Sequence, residues 1–369
     1  MIGILTFYWA DDYGGMLQAY ALKRRLELMG ERAEMVPYAP IKLRGRYWLC
    51  PLCAERKDWG LRYFFHRYMF KENLRQGWSF WARRWAMGRF RRKYLTAKRP
   101  ARGVRDLLEP YRTVLVGSDQ VWNPDITVDL DDAYIGNIPR REDCRLVAYG
   151  ASLGGKRLLE GDREKFVRHV KEFSAISLRE RTDAAYVEEL LGRKVRDVLD
   201  PVLLLDAAEW RRAAKPPRER GYILLYLTEY HEPLLRCAQA LSKELGRELL
   251  SLSRPSTLAG GYAQTVQTRS AGPAEFLGYL EHADCVLTNS FHGTAFSILM
   301  EKPFLAFRHS TRNNRLEDLL DKLGLSFHLA EEARPEEVLK RWAETDREEV
   351  RRRLAEERER SLRFLTESL

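Results

Sequence analysis

The stretch Ala283–Phe307 constrains this chain more than any other. Cys285–Thr288 is a short apolar run that ends in small polar residues, Gly293–Met300 predicts a short helix, Lys302-Pro303 closes it, and Phe304–Phe307 is a second apolar run. Two such runs with a helix between them predict parallel strands joined by a crossover. A sheet of that kind binds ligands beyond the carboxyl ends of its strands. Asn289, Ser290 and His292 occupy that place. Gly293 is expected to let the backbone approach a ligand, and the helix start offers N–H groups with positive dipole character. His292 has two readings here, a group that acts on substrate or a satisfied loop residue.

The same pattern recurs along the chain. Ile2–Phe7 predicts a strand, Tyr8–Gly15 a loop with Gly14 and Gly15, Met16–Met29 a helix stopped by Gly30, and Ala33–Val36 a strand. The glycine pair is not a GxGxxG fingerprint, so a tight turn and a phosphate-binding turn are both open. Thr113–Val116 reads as a buried strand that runs into Gly117-Ser118-Asp119, and Arg145–Tyr149 and Ala175–Ser177 as further strands. Arg179, at the end of the last, can clamp a carboxylate or phosphate with two parallel bonds. Val198–Leu205 looks strand-like around Asp200-Pro201. After Lys215-Pro216-Pro217, a linker by composition, the alternation restarts with Tyr222–Leu227, Glu232–Leu245 and Glu248–Leu252. The expectation is an α/β chain of two doubly wound, Rossmann-like domains facing a cleft, 1–215 and 216–345, with a charged C-terminal helix over 346–369.

Charge marks an insertion. Residues 41–105 carry 19 Lys and Arg against 3 Asp and Glu, whereas the whole chain has a net charge of +10, so the remainder is mildly acidic. Aromatic residues (Trp78, Phe80, Trp81, Trp85, Phe90) alternate there with Arg83, Arg84, Arg89, Arg91 and Arg92. Helical packing with solvated arginines is one reading, and a basic, aromatic surface for an anionic membrane is another. No zinc-finger or RNP signature accompanies it, so nucleic acid is not expected. Cys50-Pro-Leu-Cys53 lacks the second ligand pair of a structural zinc site, and no metal is expected. Five cysteines without regular spacing fit a reducing compartment. The chain starts directly on a strand and has no apolar run near the ~18 residues of a membrane span. The expected location is cytoplasmic, with peripheral attachment to the inner face of the membrane open.

Four segments together resemble the polysaccharide pyruvyl transferase family: Tyr13-Gly-Gly-Met-Leu-Gln-Ala-Tyr-Ala-Leu22, Val116-Gly-Ser-Asp-Gln-Val-Trp-Asn123, Ser177-Leu-Arg-Glu180 and Thr288-Asn-Ser-Phe-His-Gly-Thr294. The resemblance implies a fold like that of GT-B glycosyltransferases and transfer of pyruvate from phosphoenolpyruvate to a sugar of a surface polysaccharide or its lipid-linked precursor. The donor is expected to sit in the second domain. By position, Arg179 and His292 match residues that hold or act on phosphoenolpyruvate, and Asp119 an acidic position on the acceptor side. Gly14, Gly15, Ser118, Glu180, Asn289, Ser290, Gly293 and Thr294 fall in the same motifs as substrate-binding candidates. The resemblance implies an arginine two residues before this histidine, as better-known members carry, whereas this chain has Ser290; that anion-binding charge is either missing or supplied elsewhere, with Arg308 and Arg315 as the candidates. The chemistry itself calls for no cofactor. Glycosyl transfer from a nucleotide-sugar on the same fold, and non-catalytic binding of anionic glycans or membranes, stand beside it as alternatives.

Overall fold

The computed structural model describes residues 1–40, 71–95, 107–253, 265–267, 270–310 and 313–369; of 71–80 and 265–267 it describes the backbone alone. Cys50, Cys53 and the greater part of the 41–105 insertion lie outside the described residues, as do the side chains of Trp78 and Phe80. The chain forms two compact units, Met1–Leu204 with Arg360–Leu369, and Leu205–Glu359.

The first unit contains β1 (Ile2–Leu5), α1 (Tyr13–Leu28), β2 (Ala33–Met35), α2 (Lys71–Phe90), β3 (Thr113–Val116), α3 (Pro124–Thr127), β4 (Arg145–Ala151), α4 (Glu160–Val170), β5 (Ala175–Leu178), α5 (Arg181–Leu191) and β6 (Arg196–Asp197). Its sheet has the order β2-β1-β3-β4-β5-β6, with every pairing parallel. The second unit contains α6 (Ala207–Ala213), β7 (Tyr222–Tyr226), α7 (Glu232–Leu245), β8 (Glu248–Ser251), β9 (Thr265–Gln267), α8 (Pro273–His282), β10 (Cys285–Thr288), α9 (Phe291–Leu299), β11 (Phe304–Phe307), α10 (Asn314–Lys322), β12 (Leu329–Ala330) and α11 (Pro335–Ala343). The last helix, α12 (Arg347–Ser368), starts in this unit and contributes its final residues to the first. The second sheet is also all parallel, ordered β12-β11-β10-β7-β8-β9.

Burial explains why the strands read as unbroken apolar runs. Every residue of β1, β3, β7, β10 and β11 is buried, as expected of central strands covered by helices on both faces. Helices alternate apolar and polar faces instead: α7 buries Leu234, Leu235, Ala238 and Leu241, and ends on Gly246 at φ 60°.

In each sheet the strand order reverses once. From β1 the chain goes outward to β2, then returns to β1's other side as β3. From β7 it goes to β8 and β9, then returns as β10. The β1/β3 and β7/β10 borders are therefore the switch points where doubly wound sheets leave a crevice for ligands.

The structure departs from the sequence reading in three places. The units divide at Leu204, ahead of the Pro216-Pro217 segment. The reason is packing: Trp210 of α6 meets Phe296 edge-on at 4.8 Å, and Lys215 N donates to Ala274 O at 2.8 Å, so this segment already belongs to the second core. Val198–Leu205 is not a strand. Asp200 accepts from Val202 N at 3.0 Å and turns Pro201–Leu204 into a 3-10 helix. Helix α1 begins at Tyr13, because Asp12 caps it by accepting from Gly15 N at 3.0 Å.

Candidate functional site

The second unit's switch point is built from neutral hydrogen bonds. Thr288, the last residue of β10, donates its hydroxyl to Tyr226 O at 2.5 Å and accepts from Ser290 N at 3.0 Å. Asn289 reaches sideways to the loop after β7: its Oδ1 accepts from Thr228 N at 2.8 Å and its Nδ2 donates to Glu229 O at 3.2 Å. Ser290 is the N-cap of α9, its Oγ accepting from Gly293 N at 3.4 Å. That local task accounts for a serine here. His292 follows in the first helical turn, 8% exposed, with Phe291's ring beside it at 5.2 Å. The Thr294 hydroxyl is fully buried and has no hydrogen-bond partner among the described residues.

Gly293 has a different reason from the expected one. A Cβ at this position would lie 2.4 Å from Thr288 Oγ1 and 3.1 Å from the Tyr226 ring. The glycine lets helix α9 lie close on β10 and β7, so its smallness serves internal packing.

Of the two arginines expected to replace the missing cation, Arg308 is tied to Glu317 and lies 3.5 Å from Glu331. Arg315 instead places its guanidinium 5.8 Å from the centre of the ring of Phe291, the residue that follows the Ser290 cap in sequence. Glu229 binds the loop after β11, accepting from Ser310 N at 2.6 Å, with its carboxylate 3.3 Å from His309 Nε2.

The first unit's counterpart is charged. Arg179 extends from the end of β5 with its side chain 2% exposed. Its Nη1 lies 2.5 Å from Asp200 Oδ2, its Nη2 3.4 Å from Asp119 Oδ1 and its Nε 3.9 Å from Glu180 Oε1. Burial works against the charge on this guanidinium, but Asp200, Glu180 and Asp119 more than offset it and hold its pKa above the ordinary arginine value. The expected clamp on an incoming anion is therefore engaged within its own unit.

Asp119, at φ 83°, sits just past β3 at the β1/β3 switch, and its carboxylate keeps 16% exposure. Gly15, in the first turn of α1, lies against the same carboxylate: a Cβ there would stand 3.5 Å from Asp119 Oδ2. Gly14, also in that turn, is buried. Ser118 is fully buried, donating to Gly150 O at 3.0 Å while its carbonyl accepts from Thr6 Oγ1 at 2.7 Å. Glu180 is fully buried and accepts from Ser152 Oγ at 2.8 Å. Both residues organise the loops that carry Asp119 and Arg179.

Sequence reasoning missed several participants. Asp200 looked like part of a strand. Asp183 accepts from Leu153 N and Gly155 N at 3.2 and 3.1 Å, and had no signal beyond being an acid in a first helical turn. Thr228 and Glu229 become visible only once β7 is known to border β10. His328, by contrast, is a packing histidine: it is stacked on Phe304 at 4.5 Å, its Nδ1 is 3.0 Å from Phe304 O, and burial pushes its pKa down to about 4. Among the described residues, no group of His, Cys, Asp and Glu could hold a metal ion, and no helix is long and apolar enough to cross a membrane.

No curated protein matches the sequence. Solved structures do resemble it along nearly the whole chain. One is UDP-GlcNAc 2-epimerase from Neisseria meningitidis, at 9% identity and TM-score 0.47, covering 99% of each chain. Another is UGT89C1 of Arabidopsis thaliana, at 13% identity and TM-score 0.46, covering 98% of this chain and 94% of that one. A third is the glycosyltransferase SnogD from Streptomyces nogalater, at 14% identity and TM-score 0.42, covering 100% and 99%. The family model for polysaccharide pyruvyl transferase matches residues 12–311, a span that takes in Asp119, Arg179 and the whole Thr288–Thr294 segment, and the chain belongs to that family.

Proposed function

We propose that the chain transfers the pyruvyl group of phosphoenolpyruvate to two hydroxyls of one sugar, on a surface polysaccharide or its lipid-linked precursor. The observation that carries this reading is the family match over 12–311. The helix start that holds His292 beside the β7/β10 switch supports it.

Phosphoenolpyruvate is strongly anionic at neutral pH, so its phosphate and carboxylate favour a helix start and a nearby cation. Helix α9, capped by Ser290, supplies the first and Arg315 the second. A proton is added to the methylene carbon, which becomes the methyl group and leaves an oxocarbenium-like centre. One sugar hydroxyl attacks that centre and loses its proton. Phosphate leaves, and the second hydroxyl closes the ketal. Of the two hydroxyl protons, one balances that taken up by carbon and the other departs with phosphate. His292 is assigned the proton donated to carbon or to the departing phosphate. Asp119 is assigned the proton of the attacking hydroxyl, and Arg179 the positioning of the Asp119 carboxylate, 3.4 Å away.

A thermal-shift titration tests the donor. Phosphoenolpyruvate should raise the unfolding midpoint, the shift growing with the logarithm of its concentration once that exceeds the Kd, and UDP should not. A shift with UDP alone would move the reading to a nucleotide-sugar. In a phosphate-release assay over a panel of hexoside acceptors, His292→Ala should lower turnover by about 100-fold or more while the midpoint stays near wild type. Undiminished turnover in that variant removes the role given to His292.

A further inference from the structure

Helix α2 presents two unlike faces. Inward, Met87 and Phe90 are buried, Tyr20 of α1 packs on Phe90 at 5.8 Å, and Arg83 lies over the Tyr13 ring at 4.3 Å. Outward, Trp81 and Trp85 follow each other at the i,i+4 spacing of one helical ridge, 52% and 60% exposed. Two large indoles displayed to solvent one turn apart are costly in water unless something covers them. Arg89 continues the ridge with its guanidinium 4.8 Å from the Trp85 ring centre, and Arg92 and Lys93 are exposed at its end. From residue 73 to residue 95 the sequence contains no acidic residue and seven basic ones.

We infer that this ridge is a docking surface for an anionic membrane. Indole rings have an apolar body and a polar N–H and settle at the headgroup level, while arginines beside them pair with lipid phosphates. Charge complementarity selects an anionic leaflet. Two half-exposed indoles beside cations suit the headgroup level of a bilayer, where an apolar body and a polar N–H are both accommodated. Trp81 and Trp85 enter the interface side by side, and Arg84, Arg89 and Arg92 set the preference for negative lipid. The inference stands apart from the donor and acceptor chemistry and from any role of Asp119 or His292.

Flotation of the full chain with vesicles tests it. Vesicles of phosphatidylcholine and phosphatidylglycerol in equal parts should carry the protein upward, and pure phosphatidylcholine should not. Raising the salt to about 1 M, where the Debye length falls to about 3 Å, should release it. Exchanging Arg84, Arg89 and Arg92 together for Gln should weaken vesicle binding by roughly 100-fold, at about fivefold per cation. Trp81→Ser with Trp85→Ser should abolish binding, while a far-UV circular dichroism spectrum like that of the wild type shows that the loss is not one of fold. A blue shift of tryptophan emission on adding anionic vesicles, absent in the double variant, would place these two rings at the interface. Equal binding to both vesicle types, or anionic binding unchanged in either variant, overturns the inference. So does capture by dextran sulfate in solution without any vesicle binding, which would assign the ridge to an anionic glycan.

Discussion

The two switch points solve the same problem with opposite chemistry. At the end of β10, Thr288, Asn289 and Ser290 fix the backbone with neutral hydrogen bonds to β7, to its following loop and to the α9 helix start. At the ends of β3 and β5, one buried guanidinium is surrounded by Asp119, Glu180 and Asp200. The charged cluster meets its electrostatic needs internally, and an anion arriving at it meets three carboxylates around one cation. At the neutral segment the helix start itself presents positive dipole character. This difference is why, in our reading, the anionic donor belongs to the second unit and Arg179 serves Asp119.

The sharpest way to break the comparison is to remove the central charge of the first unit. Arg179→Ala would leave Asp119, Glu180 and Asp200 facing one another across a buried gap. Removing one partner of a buried ionic arrangement costs about 3–5 kcal/mol. A urea titration should show a loss of that size. A loss below about 1 kcal/mol would mean that water reaches the cluster freely, and the contrast with the neutral loop would disappear. If Arg179 instead contacts the donor directly, the substitution should abolish phosphoenolpyruvate binding while costing little stability.

What the sequence disclosed follows the same division. The strands were legible because central parallel strands are buried on both faces, so Thr113–Val116, Tyr222–Tyr226 and Cys285–Thr288 read as unbroken apolar runs. The motif residues His292 and Asp119 were legible because they follow such runs directly, and the structure puts each beside a switch point. The Arg179–Asp200 pair was not legible, since its partners are 21 positions apart and meet only through the β5 and 3-10 helix geometry. Nor was the purpose of Gly293, since close helix-on-strand packing and close ligand approach call for the same residue. The unit boundary was misread because the Pro-Pro signal is local, whereas the attachment of Trp210 to Phe296 is tertiary.

A glycine pair sharpens the comparison at smaller amplitude. In Gly293→Ala, the new methyl group would meet Thr288 Oγ1 at 2.4 Å, and that hydroxyl is held by Tyr226 O. Overpacking of this kind costs about 1–3 kcal/mol. In Gly15→Ala, the nearest atoms stand at 3.5 Å, an ordinary contact, and the position is helical. That change should be neutral or stabilise by up to about 1 kcal/mol through the unfolded chain. Paired thermal melts decide it. Equal destabilisation by the two would mean that Gly15 holds a tight approach like that of Gly293, and the difference in packing between the two helix starts would fall.

The smallest effect is expected at the cap of helix α9. Ser290 caps α9 through a 3.4 Å bond from Gly293 N, and Ser290→Ala should cost about 1 kcal/mol, the usual loss of an N-cap. Ser290→Asp would keep the cap in place and add a negative charge at the helix start, which favours the helix itself but repels an anionic donor. Stability and affinity therefore move apart. Against wild type, Ser290→Asp should melt no lower yet show a weaker shift with phosphoenolpyruvate, and Ser290→Ala should melt lower with its phosphoenolpyruvate shift largely kept. If the aspartate leaves the ligand shift intact, the anion does not rest on this helix start, and the contrast between a charge-saturated first unit and an anion-receiving second unit fails at its second half.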